Sequence, residues 1–121
     1  MCMRKNDNMD RVVYISGPIT MNKDWRRNFD LAYARLKAEG YGVVHNPREI
    51  GDGLETAFGA LGKKPDYADY MRADLKMLLQ CDTIYMLKGW EGSAGARTEL
   101  SVAQACKMRV LFEEGADGLQ D

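Results

Sequence analysis

The chain has 121 residues, of which 17 are basic and 18 acidic, and 45% of its side chains are apolar. This length and composition are typical of one globular domain with a single core. The near-neutral charge and the absence of a basic cluster argue against a nucleic-acid partner. No apolar run approaches the roughly 20 residues that cross a bilayer, and the polar N-terminus lacks the apolar middle of a signal peptide. We therefore predict a cytoplasmic protein with no membrane partner.

The cysteine and histidine content argues against a disulfide framework and against a metal centre. The three cysteines lack CxxC spacing, and an odd number of thiols in a cytoplasmic protein is expected to stay reduced. Cys81 and Cys106 stand at the ends of predicted elements, where we expect small core residues. Because His45 is the only histidine and no ligand cluster surrounds it, we predict neither a metal nor a cofactor.

Hydrophobic patterning in the first half of the chain alternates between strand and helix. Residues 1–10 are polar and are expected to be disordered, whereas 11–16 form a short apolar run typical of a buried strand. Apolar residues recur at helical spacing from 24 to 39, which predicts a helix. A second strand is predicted at 41–45, where the apolar run ends before an Asn-Pro pair.

The second half of the chain continues this alternation after a weakly patterned stretch. Residues 48–65 are rich in glycine and predict a loop with at most one short helix, and a loop of this length is often a functional lid. A helix is predicted at 66–80 and a strand at 82–88. The last two predicted elements are a helix at 94–105 and a short strand at 109–112.

The order of these elements predicts an α/β fold with a parallel sheet of four to five strands and helices on both faces. We assign it to one domain at 11–113, followed by an acidic tail at 114–121. Right-handed crossovers place the carboxyl ends of the first and third strands side by side, which brings 14–20 and 89–99 together. Open α/β sheets bind small ligands at this edge, and the helix that begins there offers free backbone N–H groups.

Several common enzyme signatures are incomplete in this sequence. The segment Glu91-Gly-Ser-Ala-Gly95 is similar to the nucleophile elbow of serine hydrolases, but a glutamate stands where that motif needs its first glycine. The only histidine follows a different strand. Neither a dinucleotide-binding G-x-G-x-x-G nor a phosphate-binding P-loop occurs. The sequence therefore lacks the motifs that would indicate a serine hydrolase, a dehydrogenase or an NTPase.

Two carboxylates on neighbouring predicted helices remain as candidates for chemistry. Glu99 lies beside the apolar stripe of its helix, too far from Ser93 to form a capping box, and Asp74 lies beside the apolar stripe of the preceding helix. The default interpretation of each is a solvated surface carboxylate. The alternative is a pair that acts as nucleophile and proton donor in the cleavage of a glycosidic bond.

Four short segments together resemble the nucleoside 2-deoxyribosyltransferase superfamily. They are Tyr14-Ile-Ser-Gly-Pro18, Asp74-Leu75, Cys81-Asp82 and Ser93-Ala-Gly-Ala-Arg-Thr-Glu99. The likeness extends from Arg11 to Phe112 and is nearest to a small phage and bacterial branch and to the 2′-deoxynucleoside 5′-monophosphate N-hydrolases. It implies a single-domain, Rossmann-like (flavodoxin-like) three-layer sandwich.

This resemblance also implies a mechanism and an assembly. Glu99 would attack the anomeric carbon of a deoxyribose to form a covalent glutamyl-deoxyribose intermediate, which water or a second base would then resolve. Tyr14 would orient Glu99, and Asp74 would protonate the departing base. No cofactor is implied. The partner would be a small-molecule nucleotide or nucleoside, and the superfamily forms homodimers or larger homo-oligomers in which a neighbour completes the pocket.

The substrate site implied by the resemblance lies in the two loops at the sheet edge. Ser93 matches a serine that binds the 5′-phosphate in the N-hydrolases, and Arg97 either adds positive charge there or is solvated. Those hydrolases carry an arginine where Thr20 stands, so Lys23, Arg26 or Arg27 would have to compensate. Trp90 either stacks on a base or covers the core. The predicted substrate-binding residues are Ser16, Gly17, Pro18, Ile19, Thr20, Trp90, Ser93, Gly95 and Arg97.

Two other functions stay open from the sequence alone. One is cleavage of the nicotinamide–ribose bond of NAD or of a related signalling nucleotide, which uses the same glutamate but needs room for a 2′-hydroxyl group. The other is a noncatalytic module that binds a nucleotide. The identity of the base, the presence of a 5′-phosphate and the choice between hydrolysis and transfer are also left open.

Overall fold

Four short apolar segments form the centre of the protein. The computed structural model describes residues 7–20 and 22–116. Its strands are β1 (Val12–Ser16), β2 (Val43–His45), β3 (Thr83–Met86) and β4 (Arg109–Phe112). They form one sheet in the order β2-β1-β3-β4, and every neighbouring pair is parallel. The predicted α/β fold with a parallel sheet is therefore confirmed, with four strands in the described part of the chain.

The central strand β1 has buried side chains on both faces of the sheet. Tyr14 and Ser16 lie on one face and Val13 and Ile15 on the other, because successive side chains of a strand alternate in direction. All four are fully buried. Such burial on both faces is typical of a parallel sheet that is covered by helices. It places two hydroxyl groups on the same face, at the carboxyl end of the strand.

Four helices cover the sheet and complete three layers. They are α1 (Trp25–Ala38), α2 (Pro47–Gly59), α3 (Tyr67–Leu78) and α4 (Ala94–Ala105). On one face, α1 packs over a cluster of buried residues: Val13, Ile15, Phe29, Ala32, Leu36, Tyr41, Val44, Tyr85 and Leu87. On the other face, α3 and α4 pack over a second cluster: Tyr14, Leu78, Cys81, Ile84, Met86, Ala96, Leu100 and Ala103. The fold is thus the expected single-domain, Rossmann-like three-layer arrangement.

Side-chain caps define where three of the helices begin. Asn46 accepts a hydrogen bond from a backbone N–H in the first turn of α2, and Pro47 occupies the first helical position. Asp66 and Asp69 form a reciprocal capping box at the start of α3. The hydroxyl of Ser93 accepts from a backbone N–H in the first turn of α4. These caps satisfy backbone donors that would otherwise lack partners next to the ligand edge of the sheet.

The prediction of a loop at 48–65 is wrong, because most of this segment is helix α2. Three glycines weaken the helical signal in the sequence, since each lowers helix stability by about 1 kcal/mol relative to alanine. Packing against α3 offsets this weakness, as tertiary contacts usually outweigh intrinsic propensity. The other predicted elements agree with the structure to within one or two residues at each end, and the bounds of α4 and β4 are confirmed as predicted.

The two chain ends were predicted to lack structure. Residues 7–10 instead form a short 3₁₀ helix, so that prediction is wrong for them, and residues 1–6 lie outside the described part. In the predicted acidic tail, Ala116 is buried and its carbonyl accepts a hydrogen bond from the indole of Trp90, whereas residues 117–121 lie outside the described part. Cys81 is buried as predicted, but Cys106 is exposed, because it caps the solvated end of α4. Among residues 7–20 and 22–116, no helix is both long enough and apolar enough to cross a membrane.

A pair of glycine substitutions tests the packing of the loop after β1. A Cβ atom on Gly17 would lie 2.7 Å from Cβ of Leu87, whereas a Cβ atom on Gly53 of α2 would meet no atom within 4 Å. We expect Gly17→Ala to lower the free energy of unfolding by about 1–3 kcal/mol through overpacking. We expect the matched change Gly53→Ala to raise it by about 0.5–1 kcal/mol, because alanine favours the helix. Urea unfolding measures both, and equal stability of the two variants would contradict this packing.

Candidate active site

A cavity of about 930 Å³ opens at the carboxyl edge of the sheet. This volume lies within the range of sites that bind small molecules. The end of β1, the starts of α1 and α4, and the inward faces of α2 and α3 form its walls. Apolar and aromatic side chains supply most of these walls: Ile19, Trp25, Phe29, Tyr67, Tyr70 and Met71. The predicted ligand edge therefore holds a cavity that is large enough for a nucleoside.

A buried carboxylate lies at the base of this cavity. Glu99, on the second turn of α4, is only 6% exposed and faces β1. Its Oε2 accepts a hydrogen bond from the hydroxyl of Tyr14 at 2.9 Å, and its Oε1 accepts one from the hydroxyl of Ser16 at 2.6 Å. The two donors are two residues apart on β1 and share a face of the sheet, so the strand holds both carboxylate oxygens at once. The default interpretation of Glu99 as a solvated side chain does not apply.

Burial dominates the electrostatics of Glu99. Removal from water raises the pKa of its carboxyl to about 7, and the hydrogen bonds from Ser16 and Tyr14 oppose that rise because they stabilise the charged form. None of the ion pairs formed among residues 7–20 and 22–116 involves Glu99. Burial, and next the charge of Glu99, hold the pKa of the Tyr14 hydroxyl well above its ordinary value. Tyr14 therefore stays protonated and remains a donor.

A second buried carboxyl group lines the same cavity. Asp74, on α3, is 9% exposed and makes no side-chain hydrogen bond within the described part of the chain. Burial, and next the negative charge of Glu99, raise the pKa of Asp74 to about 7. Because only Glu99 has hydrogen-bond donors that favour its charged form, we assign the negative charge to Glu99 and the proton to Asp74 at neutral pH.

The cavity brings together most of the site residues that were predicted from the sequence. The residues that line it are Tyr14, Gly17, Pro18, Ile19, Thr20, Asp74, Ser93, Gly95 and Glu99. They come from β1, the loop that follows it, α3 and the start of α4. This arrangement confirms the expectation from topology that the carboxyl ends of the first and third strands lie side by side.

Three predicted substrate-binding residues do not line the cavity. Ser16 is fully buried and uses its hydroxyl to hold Glu99, so it positions that carboxylate. The guanidinium of Arg97 donates to the carbonyl of Glu91 at 2.7 Å, outside the cavity. The indole of Trp90 donates to the carbonyl of Ala116 at 2.7 Å and packs on the core. Of the two roles considered for Trp90, the structure has the one that covers the core.

Two arginines line the cavity, one of which was among the three cationic residues considered from the sequence. Arg26 at the start of α1 and Arg48 at the start of α2 line the cavity, whereas Lys23 and Arg27 do not. Arg48 was not predicted as a site residue. The signal that could have found it is the Asn-Pro pair just before it, which is typical of a helix start beside a strand end.

The described part of the chain contains no group of three or more histidine, cysteine, aspartate or glutamate side chains placed to hold a metal ion.

Tyr67 and Tyr70, which were also not predicted as site residues, add hydroxyl groups to the α3 wall. The hydroxyl of Tyr70 donates to Oε2 of Glu55 at 2.6 Å. The polar chemistry of the cavity is thus supplied by carboxyl, hydroxyl and guanidinium groups.

The chain matches the family described as a domain of unknown function, DUF4406, over residues 11–112, and it belongs to that family. The matched range contains all four strands, all four helices and every residue that lines the cavity. The comparison with curated proteins found no match.

The buried carboxyl group of Asp74 should make the stability of the protein depend on pH. Its pKa is raised on folding, so the native state binds the proton more tightly than the unfolded state does. The resulting stabilisation is complete below about pH 4 and is lost as the pH rises through about 7. We expect the wild type to lose about 2–4 kcal/mol more unfolding free energy between pH 4.5 and pH 8 than Asp74→Asn does.

Urea unfolding at a series of pH values measures this difference. Glu39→Gln is the matched control, because the side chain of Glu39 is exposed and its removal leaves the buried pair intact. Parallel pH dependences for the wild type and Asp74→Asn would show that Asp74 is hydrated in solution.

Proposed function

We propose that this protein cleaves the N-glycosidic bond of 2′-deoxynucleosides or of their 5′-monophosphates, through a covalent glutamyl-deoxyribose intermediate. The observation that carries this proposal is the pair of buried carboxyl groups, Glu99 and Asp74, at the base of a cavity of nucleoside size. Glu99 accepts hydrogen bonds from two hydroxyl groups, whereas Asp74 accepts none within the described part of the chain. This difference favours opposite protonation states, which a nucleophile and a proton donor require.

Glu99 is the nucleophile in this proposal. Hydrogen bonds from Tyr14 and Ser16 hold its carboxylate in place, and no ion pair within the described residues lowers its nucleophilicity. One carboxylate oxygen forms an ester bond with the anomeric carbon as the bond from that carbon to the base nitrogen breaks. The electron pair of the broken bond goes to the base. Water or a second base then attacks the same carbon and releases Glu99, so the anomeric configuration is retained.

Asp74 is the proton donor. Its carboxyl group lacks a hydrogen-bond partner in the described part of the chain, so its proton is free to pass to a ligand. The departing base needs this proton because an anionic base is a poor leaving group. In the second step the carboxylate of Asp74 takes a proton from the attacking water, which returns the site to its starting state.

The walls of the cavity fit the two ends of a nucleoside. Trp25 and Tyr70 offer aromatic surface for a planar base. At the other end, the hydroxyl oxygen of Ser93 accepts a hydrogen bond from the backbone N–H of Ala96. The hydroxyl proton of Ser93 therefore remains available to a 5′-oxygen of the ligand. Hydrolysis or base transfer, and a nucleoside or a nucleotide, are outcomes of the test below. The homodimer implied by the resemblance stays a prediction.

Base release tests the proposed reaction directly. We expect chromatography to detect a free base when the protein is incubated with at least one member of a panel of 2′-deoxynucleosides and their 5′-monophosphates. Because Glu99→Gln removes the nucleophile, it should slow this release by about 10³-fold or more. Glu91→Gln is the matched control, because this exposed glutamate lies in the same segment but does not line the cavity.

Ribonucleosides and NAD complete the panel and separate the alternatives. Release from NAD but from no deoxynucleoside would replace the proposal with the glycohydrolase alternative. Binding of nucleotides without release of any base, with and without an acceptor base, would favour the noncatalytic module.

The pH dependence of kcat/KM tests the two assigned roles. Glu99 must be ionised and Asp74 protonated, and the pKa of each lies at about 7, so we expect a narrow bell-shaped profile. Asp74→Asn should abolish the alkaline limb and lower the rate by about 10²–10⁴-fold. The loss should be much smaller for a 4-nitrophenyl 2-deoxyriboside, whose leaving group needs no proton. An alkaline limb that persists in Asp74→Asn would assign the proton donation to another group.

A further inference from the structure

Several hydroxyl groups around the cavity already have partners within the protein. The hydroxyl groups of Tyr14, Ser16 and Tyr70 donate to carboxylates, and the hydroxyl of Ser93 caps α4. Arg48 is different. It lines the cavity, yet within the described part of the chain none of its side-chain N–H groups makes a hydrogen bond. An arginine carries five such donors.

Two carboxylates hold the guanidinium of Arg48 without using its donors. Its Nε lies 3.6 Å from Oδ2 of Asp30, and its Nη1 lies 4.0 Å from Oδ2 of Asp52. Both distances exceed that of a hydrogen bond. The Nε atom is buried and has no hydrogen-bond partner, so the donors that a ligand can reach are those of the two Nη atoms. The side chain is therefore positioned by charge, and its Nη donors remain available.

The neighbouring groups complete a polar edge on the α2 wall. Asp52 follows Arg48 by one helical turn, lines the cavity and makes no side-chain hydrogen bond within the described residues. The N–H donors of Arg48 thus lie beside the carboxylate acceptor of Asp52. The other cavity arginine, Arg26, stacks on the ring of Trp25 at 4.5 Å and does not share this arrangement.

We propose that Arg48 is the specificity-determining residue of the base subsite and that it selects 6-oxopurines, the bases related to hypoxanthine and guanine. This proposal rests on the proposed function for the nucleoside nature of the ligand. The planar guanidinium donates to O6 and N7 together, which is the commonest pairing of arginine with a base. The carboxylate of Asp52 accepts from N1–H of the same ring.

Other bases fit this edge less well. Adenine has an amino group where hypoxanthine has O6, so a donor would face the donors of Arg48, and its N1 carries no proton for Asp52. Thymine and uracil offer a single carbonyl oxygen in place of the O6 and N7 pair. A site that leaves such buried polar groups unpaired discriminates strongly between ligands of the same shape.

Binding of hypoxanthine and adenine tests the proposal without requiring turnover. Isothermal titration calorimetry with the free bases should give the wild type about ten- to a hundred-fold higher affinity for hypoxanthine, as a bidentate pair predicts. Arg48→Gln should bring the two affinities to within about threefold, mainly by weakening hypoxanthine binding. Arg109→Gln is the matched control, because this exposed arginine lies on the edge strand β4 and does not line the cavity.

A second variant separates recognition from folding. Arg48→Lys keeps a positive charge between Asp30 and Asp52, but one ammonium group cannot reproduce two parallel donors, so it should also lose the preference while unfolding at the wild-type temperature. Equal or tighter adenine binding by the wild type, an unchanged preference in Arg48→Gln, or no binding of either base would overturn the proposal. Selective binding without base release would instead overturn the proposed function alone, and base release without selectivity would overturn the specificity alone.

Discussion

A buried carboxylate without a cation is the constraint on which this site depends. Placing Glu99 inside the protein removes it from water, and desolvation opposes its charge more strongly than any other interaction there. The hydroxyl groups of Tyr14 and Ser16 are the only hydrogen-bond donors to Glu99 among the described side chains. A neutral donor stabilises a carboxylate without forming an ion pair, as the proposed role of Glu99 as a nucleophile requires.

This requirement explains why the site is built on the central strand. Both donors come from one strand, and a site built on regular elements is held more precisely than a site built on loops. β1 pairs with a strand on each side and is buried on both faces, so neighbouring elements constrain it on all sides. The same alternation that directs Tyr14 and Ser16 towards α4 directs Val13 and Ile15 into the core beneath α1. The rigidity of the site is therefore a consequence of the hydrophobic core.

Much of this arrangement could be predicted from the sequence because it depends on local rules. The start of α4 is marked by a capping serine and its buried face by alternating small and large apolar residues, so its bounds were predicted correctly. Helix α2 was missed because its glycines hide the pattern, and the packing on α3 that stabilises it joins residues distant in sequence. The orientations of Arg97 and Trp90 could not be predicted either. Each follows from a single hydrogen bond to a backbone carbonyl, which no sequence periodicity reports.

The missed helix also accounts for how charge is distributed around the cavity. A guanidinium beside Glu99 would favour its ionised form and lower its pKa, but it would also pair with the carboxylate of Glu99 and favour the ionised form of Asp74. The structure instead places Arg26 and Arg48 on α1 and α2, while Glu99 and Asp74 lie on α4 and α3. Arg48 is further balanced by Asp30 and Asp52, which limits its field at the buried pair. Separate walls thus hold the guanidinium groups apart from the uncompensated carboxyl groups within one cavity, as the proposed function requires.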